Sequence, residues 1–265
     1  MKAYDFSYDG KKLSDFGFVI CNFGGSKGLE TISNGSQITF NTVPVFNGAK
    51  YHLTSTTYDD CLTATIQICK TPCGGDSMEI NPSTFRTLTS WLCRKKFLKL
   101  KFFSDDYIDL YFEAIINISR VEIDGKLVGL ELEISTNRPF ALKEKRILTI
   151  ENTEKDGSYS INDTSYEEGY IYPRTEITIA ESGNLNIYNA IENRNTYIGN
   201  CVAGEIITLD YPIIQSSVSS HNIQNDFNWN FFRIANTIEN SRNDLTISIP
   251  CTIKIEYSPI VKVGL

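Results

Sequence analysis

Two runs of strict alternation on either side of one tight turn limit the fold more than any other part of the sequence. Between Tyr107 and Ile118, the residues Ile108, Leu110, Phe112, Ala114, Ile116 and Ile118 share one face of an extended chain, and Val128, Leu130, Leu132 and Ile134 resume the pattern after Asp124-Gly125. Successive side chains of a strand point to opposite faces, so a two-residue period marks half-buried strands. Asp-Gly readily takes the positive backbone angles of a two-residue turn, which predicts that the runs pair as a hairpin.

The sequence around this hairpin predicts the rest of a layer. From Cys61 to Cys69, Leu62, Ala64, Ile66 and Ile68 take one face while Thr63, Thr65 and Gln67 take the other. Leu98 to Phe102 reads as a further strand, separated from Tyr107 by the turn Ser104-Asp105-Asp106, and the basic residues Arg94, Lys95, Lys96, Lys99 and Lys101 mark a wet face there. Asn81-Pro82 opens one short helix. Asn at the cap satisfies free amides, Pro at the first helical position loses no hydrogen bond, and Phe85, Leu88, Trp91 and Leu92 follow at helical spacing. That helix is predicted to lay its aromatic face on the sheet. Tyr107, Tyr111 and Ile115 make the second face of their strand apolar too. A strand apolar on both sides is either central in its protein or covered by a partner.

The alternation breaks after Ile134. Residues 135–147, with Pro139 and the charges Lys143, Glu144, Lys145 and Arg146, form the expected junction, giving a first domain of residues 1–140 and a second of 141–265. The second is predicted to be purely β. Turn-rich sequence around Asp156-Gly157 and Glu167-Glu168-Gly169 precedes short strands near Thr175–Ala180, Leu185–Tyr188 and Ile206–Leu209. At the end, Leu245, Ile247, Ile249, Cys251, Ile253, Ile255 and Tyr257 hold one parity, with Pro250 on the opposite face. Many short strands with frequent turns indicate a sandwich or barrel.

Chemistry is sparse. A formal net charge of -7 disfavours nucleic acid, whose phosphates require a concentrated basic face. The residues after Met1-Lys2 lack the apolar run of a leader, and no stretch approaches the ~20 apolar residues of a membrane span, so neither secretion nor membrane insertion is expected. Only His52 and His221 are present, both expected in turns or at the surface, which leaves few ways to build a nucleophile-histidine pair. Seven scattered cysteines suit free thiols in a reducing compartment. Cys61, Cys69, Cys73 and Cys93 lack the tight paired spacing of a zinc ribbon. The paired acids Asp59-Asp60, Asp105-Asp106 and Glu167-Glu168 sit in turn contexts, where solvated carboxylates are common, which disfavours a glycosidase. No catalytic residue, cofactor or metal is therefore predicted. One cluster invites a binding role: in Asn225 to Arg233, the amides Asn228 and Asn230 flank Trp229, and an aromatic ring with adjacent amides can seat a sugar.

The order of features resembles the distal tail proteins of siphophages. Four blocks carry the likeness: Phe6-Ser7-Tyr8-Asp9-Gly10 with Ser14-Asp15-Phe16-Gly17-Phe18; Trp91-Leu92 followed by Lys99-Leu100 and Tyr111-Phe112-Glu113-Ala114; Leu130-Glu131-Leu132-Glu133-Ile134 ending in Arg138-Pro139-Phe140-Ala141; and Gly204-Glu205-Ile206-Ile207-Thr208-Leu209-Asp210. Phe227 to Phe232 and Asn243-Asp244-Leu245-Thr246-Ile247 look like the closing strands of that family. The resemblance implies a mainly β protein with one short helix: an N-terminal belt domain, split-barrel-like, and a C-terminal galectin-like β-sandwich. It further implies a non-enzymatic structural protein of the virion tail tip, assembled in the bacterial host cytoplasm as a homo-hexamer. Its partners would be the tail tube protein, a tail-tip or tail-associated lysin protein and a receptor-binding protein. Ring closure asks each protomer for two different patches, and Tyr107, Tyr111 and Ile115 are the expected subunit-interface residues. The alternative is a glycan-binding module that aids host adsorption, with Asn228, Trp229 and Asn230 in contact with the sugar.

Overall fold

The computed structural model describes residues 3–24, 38–44, 50–58, 61–71, 77–237 and 241–263. The chain divides into two compact units, Met1–Leu142 with Lys262–Leu265 and Lys143–Val261.

The first unit is built on the long hairpin. Strands Leu110–Ile123 and Lys126–Thr136 pair antiparallel from Ala114↔Thr136 to Ile123↔Lys126. Asp124 and Gly125 both have positive φ, 51° and 74°, the pair of angles that a two-residue turn matched to strand twist requires. Strands are added antiparallel in the order Lys11–Lys12, Asp5–Tyr8, Leu98–Phe103, the hairpin, Thr63–Lys70 and Phe18–Cys21. One face gathers Phe6, Tyr8, Leu100, Phe102, Phe112, Ala114, Ile116, Leu132 and Ile134, none more than 2% exposed. A separate ladder pairs Ile38–Pro44 with Lys50–Tyr58.

The helix Pro82–Leu92 forms as its cap predicts, Asn81 Oδ1 accepting from the Thr84 N–H at 2.8 Å. It buries Leu88, Trp91 and Leu92, each worth about 1.5–3 kcal/mol of transfer free energy. Trp91 stacks on Phe16 at 4.4 Å and on Phe6 at 5.9 Å, and its indole N–H donates to the Tyr8 carbonyl at 2.8 Å. Phe85 stays half-buried under the Arg120 guanidinium, 4.6 Å from the ring centre.

The predicted strand from Tyr107 begins instead at Leu110. Asp105–Tyr107 is one 3-10 turn and Asp109 has φ 62°, so the chain leaves the strand path before Leu110. Ile108, expected on the buried face, is 64% exposed as a result.

The second unit is a β-sandwich. One sheet runs Arg146–Asn152, Cys251–Tyr257, Arg174–Ile179, Ile206–Asp210, Ile213–Ser216, and the other Gly157–Asn162, Arg242–Ile247, Gly183–Asn189, Arg194–Cys201. Ile177, Ile179, Ile187, Ile198, Ile207, Ile247 and Ile253 fill the core between them. The unbroken parity of Leu245 to Tyr257 spans two strands in different sheets, with Ile249 buried at the crossing. Inward-facing residues of both sheets meet in one core, so the pattern survives the change of sheet. A second helix, the single turn Ile223–Asp226, is too short to leave a periodic signal. Phe227 only bridges to Ile198, and Phe231 and Phe232 lie outside any strand, which corrects the strand expected from Phe227 to Phe232.

Candidate assembly surfaces

The expected interface residues divide between two environments. Tyr111 and Ile115 lie half-buried on the outer face of the hairpin sheet, in line with Glu113. The Lys99 ammonium sits over the Tyr111 ring at 4.3 Å, and Lys99 pairs across the strands with Glu113. Glu113 also accepts from the Asn137 amide and meets Arg138 at 3.3 Å. Tyr107 does not join them. It is half-buried in the 3-10 turn, its ring 6.1 Å from Phe102 and 6.1 Å from Phe112, both members of the inner face.

A cleft opens on the helix side of the same unit, with a cavity of about 390 Å³. Phe16 and Trp91 supply its aromatic wall, and Lys11, Arg86 and Arg94 surround a single carboxylate, Asp9. Asp9 and Arg94 pair at 3.2 Å, while Lys11 and Arg86 have no ion-pair or hydrogen-bond partner among the described residues. The cleft thus carries net positive charge on a chain whose total is -7.

In the second unit the Asn225 to Arg233 segment is a plug with one exposed ring. Phe227, Phe231 and Phe232 are buried at 3–4% exposure, whereas Trp229, at φ 60°, is 55% exposed. Asn228 is committed to the loop. Its Oδ1 accepts from the N–H groups of Tyr197 and Asn230, and its Nδ2 donates to the Asn195 carbonyl. Arg233 anchors the end of the plug. It is hydrogen-bonded to Glu192 and the Tyr172 hydroxyl, and its guanidinium lies 3.5 Å from the Tyr170 ring centre. Burial alone would weaken the protonated guanidinium, but the hydrogen bonds that Arg233 donates to Glu192 and Tyr172 outweigh it and hold the side chain charged. Tyr172 stacks on Tyr211 at 4.4 Å, and Tyr211 meets Phe231 edge-on. The sequence signals the Trp229 neighbourhood but not this track, because Tyr170, Tyr172 and Tyr211 come from distant strands and turns.

Residues 1–138 match the family model described as a phage tail protein N-terminal domain. The chain belongs to this phage tail protein family. Residues 140–257 of the tail protein match the model described as a phage tail C-terminal domain. Its fold is similar to that of the crystal structure of the Dit (gp 19.1) protein of phage SPP1, described as a paradigm of the hub adsorption apparatus in phages infecting Gram-positive hosts. The likeness has a TM-score of 0.61 and covers 97% of this chain and 99% of that one at 12% identity, which establishes the fold. No curated protein matches the sequence. The resemblance to siphophage distal tail proteins, read from the order of short motifs, is borne out in family and fold.

The tail protein does hold one buried polar centre that sequence reasoning missed. The Glu205 side chain is fully buried and accepts from the Val202 N–H at 2.9 Å, the Ser216 hydroxyl and His221 Nδ1 at 2.6 Å. Burial would raise its pKa, but those three hydrogen bonds overcome it and leave the carboxyl below its ordinary value. His221, expected in a turn or at the surface, has a side chain only 3% exposed. The reason is Glu205, whose charge needs donors once it is withdrawn from water. The centre ties three loop and strand ends of the sandwich together. His52 lies in the Lys50–Tyr58 strand, and its side chain is outside the described residues, as are Asp59, Asp60 and Cys73. Among the described residues no cluster of His, Cys, Asp and Glu is arranged to hold a metal, and no helix is long and apolar enough to cross a membrane. Cys61 and Cys93 are exposed free thiols, and Cys69 is buried.

Proposed function

We propose that this phage tail protein is the structural hub at the distal end of a long non-contractile tail. In this reading it forms a homo-hexameric ring, without enzymatic activity, that joins the tail tube to the tail-tip or tail-associated lysin protein and the receptor-binding protein. The observation that carries the proposal is the end-to-end likeness to a hub protein: both units are matched, not one common domain. Two further features support it. The first unit has a half-buried Tyr111 and Ile115 on its outer face, and it offers an aromatic, positively charged cleft on the other side. Different patches on one protomer are what head-to-tail closure requires. The second unit is a sandwich on the galectin plan by analogy of fold, which confers no sugar binding by itself. The protein would assemble in the host cytoplasm and remain at the tip of the virion tail.

Electron microscopy of the purified chain, alone and with a tail-tip partner, tests this. Rings of six are expected; monomers under every partner condition would overturn the proposal.

The exposed Trp229 favours a second reading, a glycan-binding surface that aids host adsorption. With the amide of Asn228 already used, contact would fall to Trp229 and the exposed Asn230. A glycan array comparing wild type with Trp229→Ala decides it: binding lost in the variant supports the reading, and no sugar bound by either ends it.

A further inference from the structure

The first unit carries a knob as well as a cleft, and their charges are opposite. The turn at Asp105–Tyr107 and the two residues after it carry the exposed carboxylates of Asp105 and Asp109, and beside them stands Ile108, 64% exposed. An aliphatic side chain that far out of its core, amid like charges, gains nothing from its own subunit. The positive φ of Asp109 holds it there. The cleft is the converse: an aromatic wall of Phe16 and Trp91, an open cavity, and, beside the Asp9–Arg94 pair, the cations Lys11 and Arg86, which have no ion-pair partner among the described residues.

Knob and cleft cannot meet within one subunit. The cleft residues Asp9 and Lys11 follow Tyr8, which pairs with Leu100, and the Asp9 N–H bonds to the Lys99 carbonyl. The knob follows Phe103, which pairs with Asp5. The two features therefore flank opposite ends of one strand pair, with four residue steps, or about 13 Å of strand, from Lys99 to Phe103.

We infer that the ring closes by inserting the Ile108 turn of each protomer into the Lys11–Arg86–Trp91 cleft of a second copy of this chain. The inference rests on the hub reading above and names the contact that would build its ring. Surfaces that differ and sit at opposite ends produce a heterologous, head-to-tail contact, the class that closes into rings. Carboxylates around the isoleucine meet cations around the aromatic wall, so charge sets the register while the apolar contact is buried. An acidic segment of another tail protein is the competing occupant, and the experiment separates the two.

Two charge reversals and their combination form the test, read by mass photometry and electron microscopy of the full chain with circular dichroism as the check of folding. Arg86 and Asp105 are both exposed, so neither reversal disturbs the core. Arg86→Asp and Asp105→Arg are each expected to weaken ring formation about tenfold or more, and the double variant to restore most of it, because the reversed pair again attracts. As a second measurement, Ile108→Cys with Thr87→Cys, in a background with Cys61 and Cys93 changed to Ser, should give on mild oxidation a ladder of covalent oligomers. Either single-cysteine variant should stop at dimers. Rings that survive both reversals, or rings lost on reversal and not rescued in the double variant, overturn the knob-and-cleft contact while leaving the hub reading standing. Failure of the wild-type chain to form rings, alone and with a tail-tip partner, overturns the hub reading instead.

Discussion

Replacing Glu205 with glutamine isolates the energetic role of the buried carboxylate. The substitution keeps volume and removes charge. Three donors converge on the two oxygens: the Val202 N–H and the Ser216 and His221 side chains. A hydrogen bond to a charged group contributes about 1.5–3 kcal/mol, and a glutamine keeps one accepting oxygen of the two. At least one donor is left facing an amide N–H, so the expected loss is about 2–4 kcal/mol. With a urea dependence of about 1.5 kcal/mol per molar, the unfolding midpoint of the second unit falls by roughly 1.3–2.7 M. The chain has two tryptophans, and only Trp229 lies in that unit, so its fluorescence in a Trp91→Phe background reports the transition. The dependence on pH follows from the lowered carboxyl pKa. A depressed folded-state value means that the unfolded state binds protons first as pH falls, so the stabilisation is fully present above the ordinary carboxyl value of about 4.3. It is lost as pH drops through the folded value. The midpoint difference between wild type and Glu205→Gln should thus shrink as pH falls below the ordinary carboxyl value. A shift below about 0.3 M at pH 7, or a difference that grows in acid, would refute the assignment of net stability to this carboxylate.

Three other substitutions probe separate parts of the fold. Asn81→Ala removes the acceptor of the Thr84 N–H and should cost the first unit about 1 kcal/mol, visible as a small drop in its melting temperature by calorimetry. Gly129→Ala would put a Cβ 2.9 Å from the Ile68 carbonyl oxygen and still closer to the Phe23 ring; about 1–3 kcal/mol of destabilisation is expected by urea titration. Asn243, fully buried, exchanges hydrogen bonds with the Ala235 backbone and accepts from Asn189; Asn243→Ala should lower the stability of the second unit by about 2–4 kcal/mol, read again through Trp229.

The parts of this fold legible in the sequence are those whose signal is local. Asn81-Pro82 names its own helix, and Asp124-Gly125 names its own turn. The alternating apolar runs identify the faces of the Thr63–Lys70, Lys126–Thr136 and Cys251–Tyr257 strands. Parity says that a residue faces a core, however, and not which sheet it belongs to. Leu245 to Tyr257 looks continuous for that reason, although the chain passes from one sheet to the other within it. The Glu205 centre stayed hidden on different grounds: an acid, a serine and a histidine at unequal spacings leave no periodic trace, and only their tertiary approach makes the histidine an interior residue.

The misread strand start at Tyr107 matters most for function. Extending the alternation back through the Asp105 turn puts Ile108 inside and Tyr107 outside. The left-handed backbone of Asp109 exchanges them: the tyrosine ring turns toward Phe102 and Phe112, and the isoleucine is expelled. A single residue with positive φ therefore transfers an aliphatic side chain from the core to the surface, where its own subunit offers nothing to bury it. Selection for folding alone favours a polar residue at such a tip, since exposure of isoleucine brings no hydrophobic gain. An isoleucine held out between the exposed Asp105 and Asp109 makes physical sense when a second surface takes it up, and the cationic, aromatic-walled cleft at the far end of the same strands carries the complementary charge.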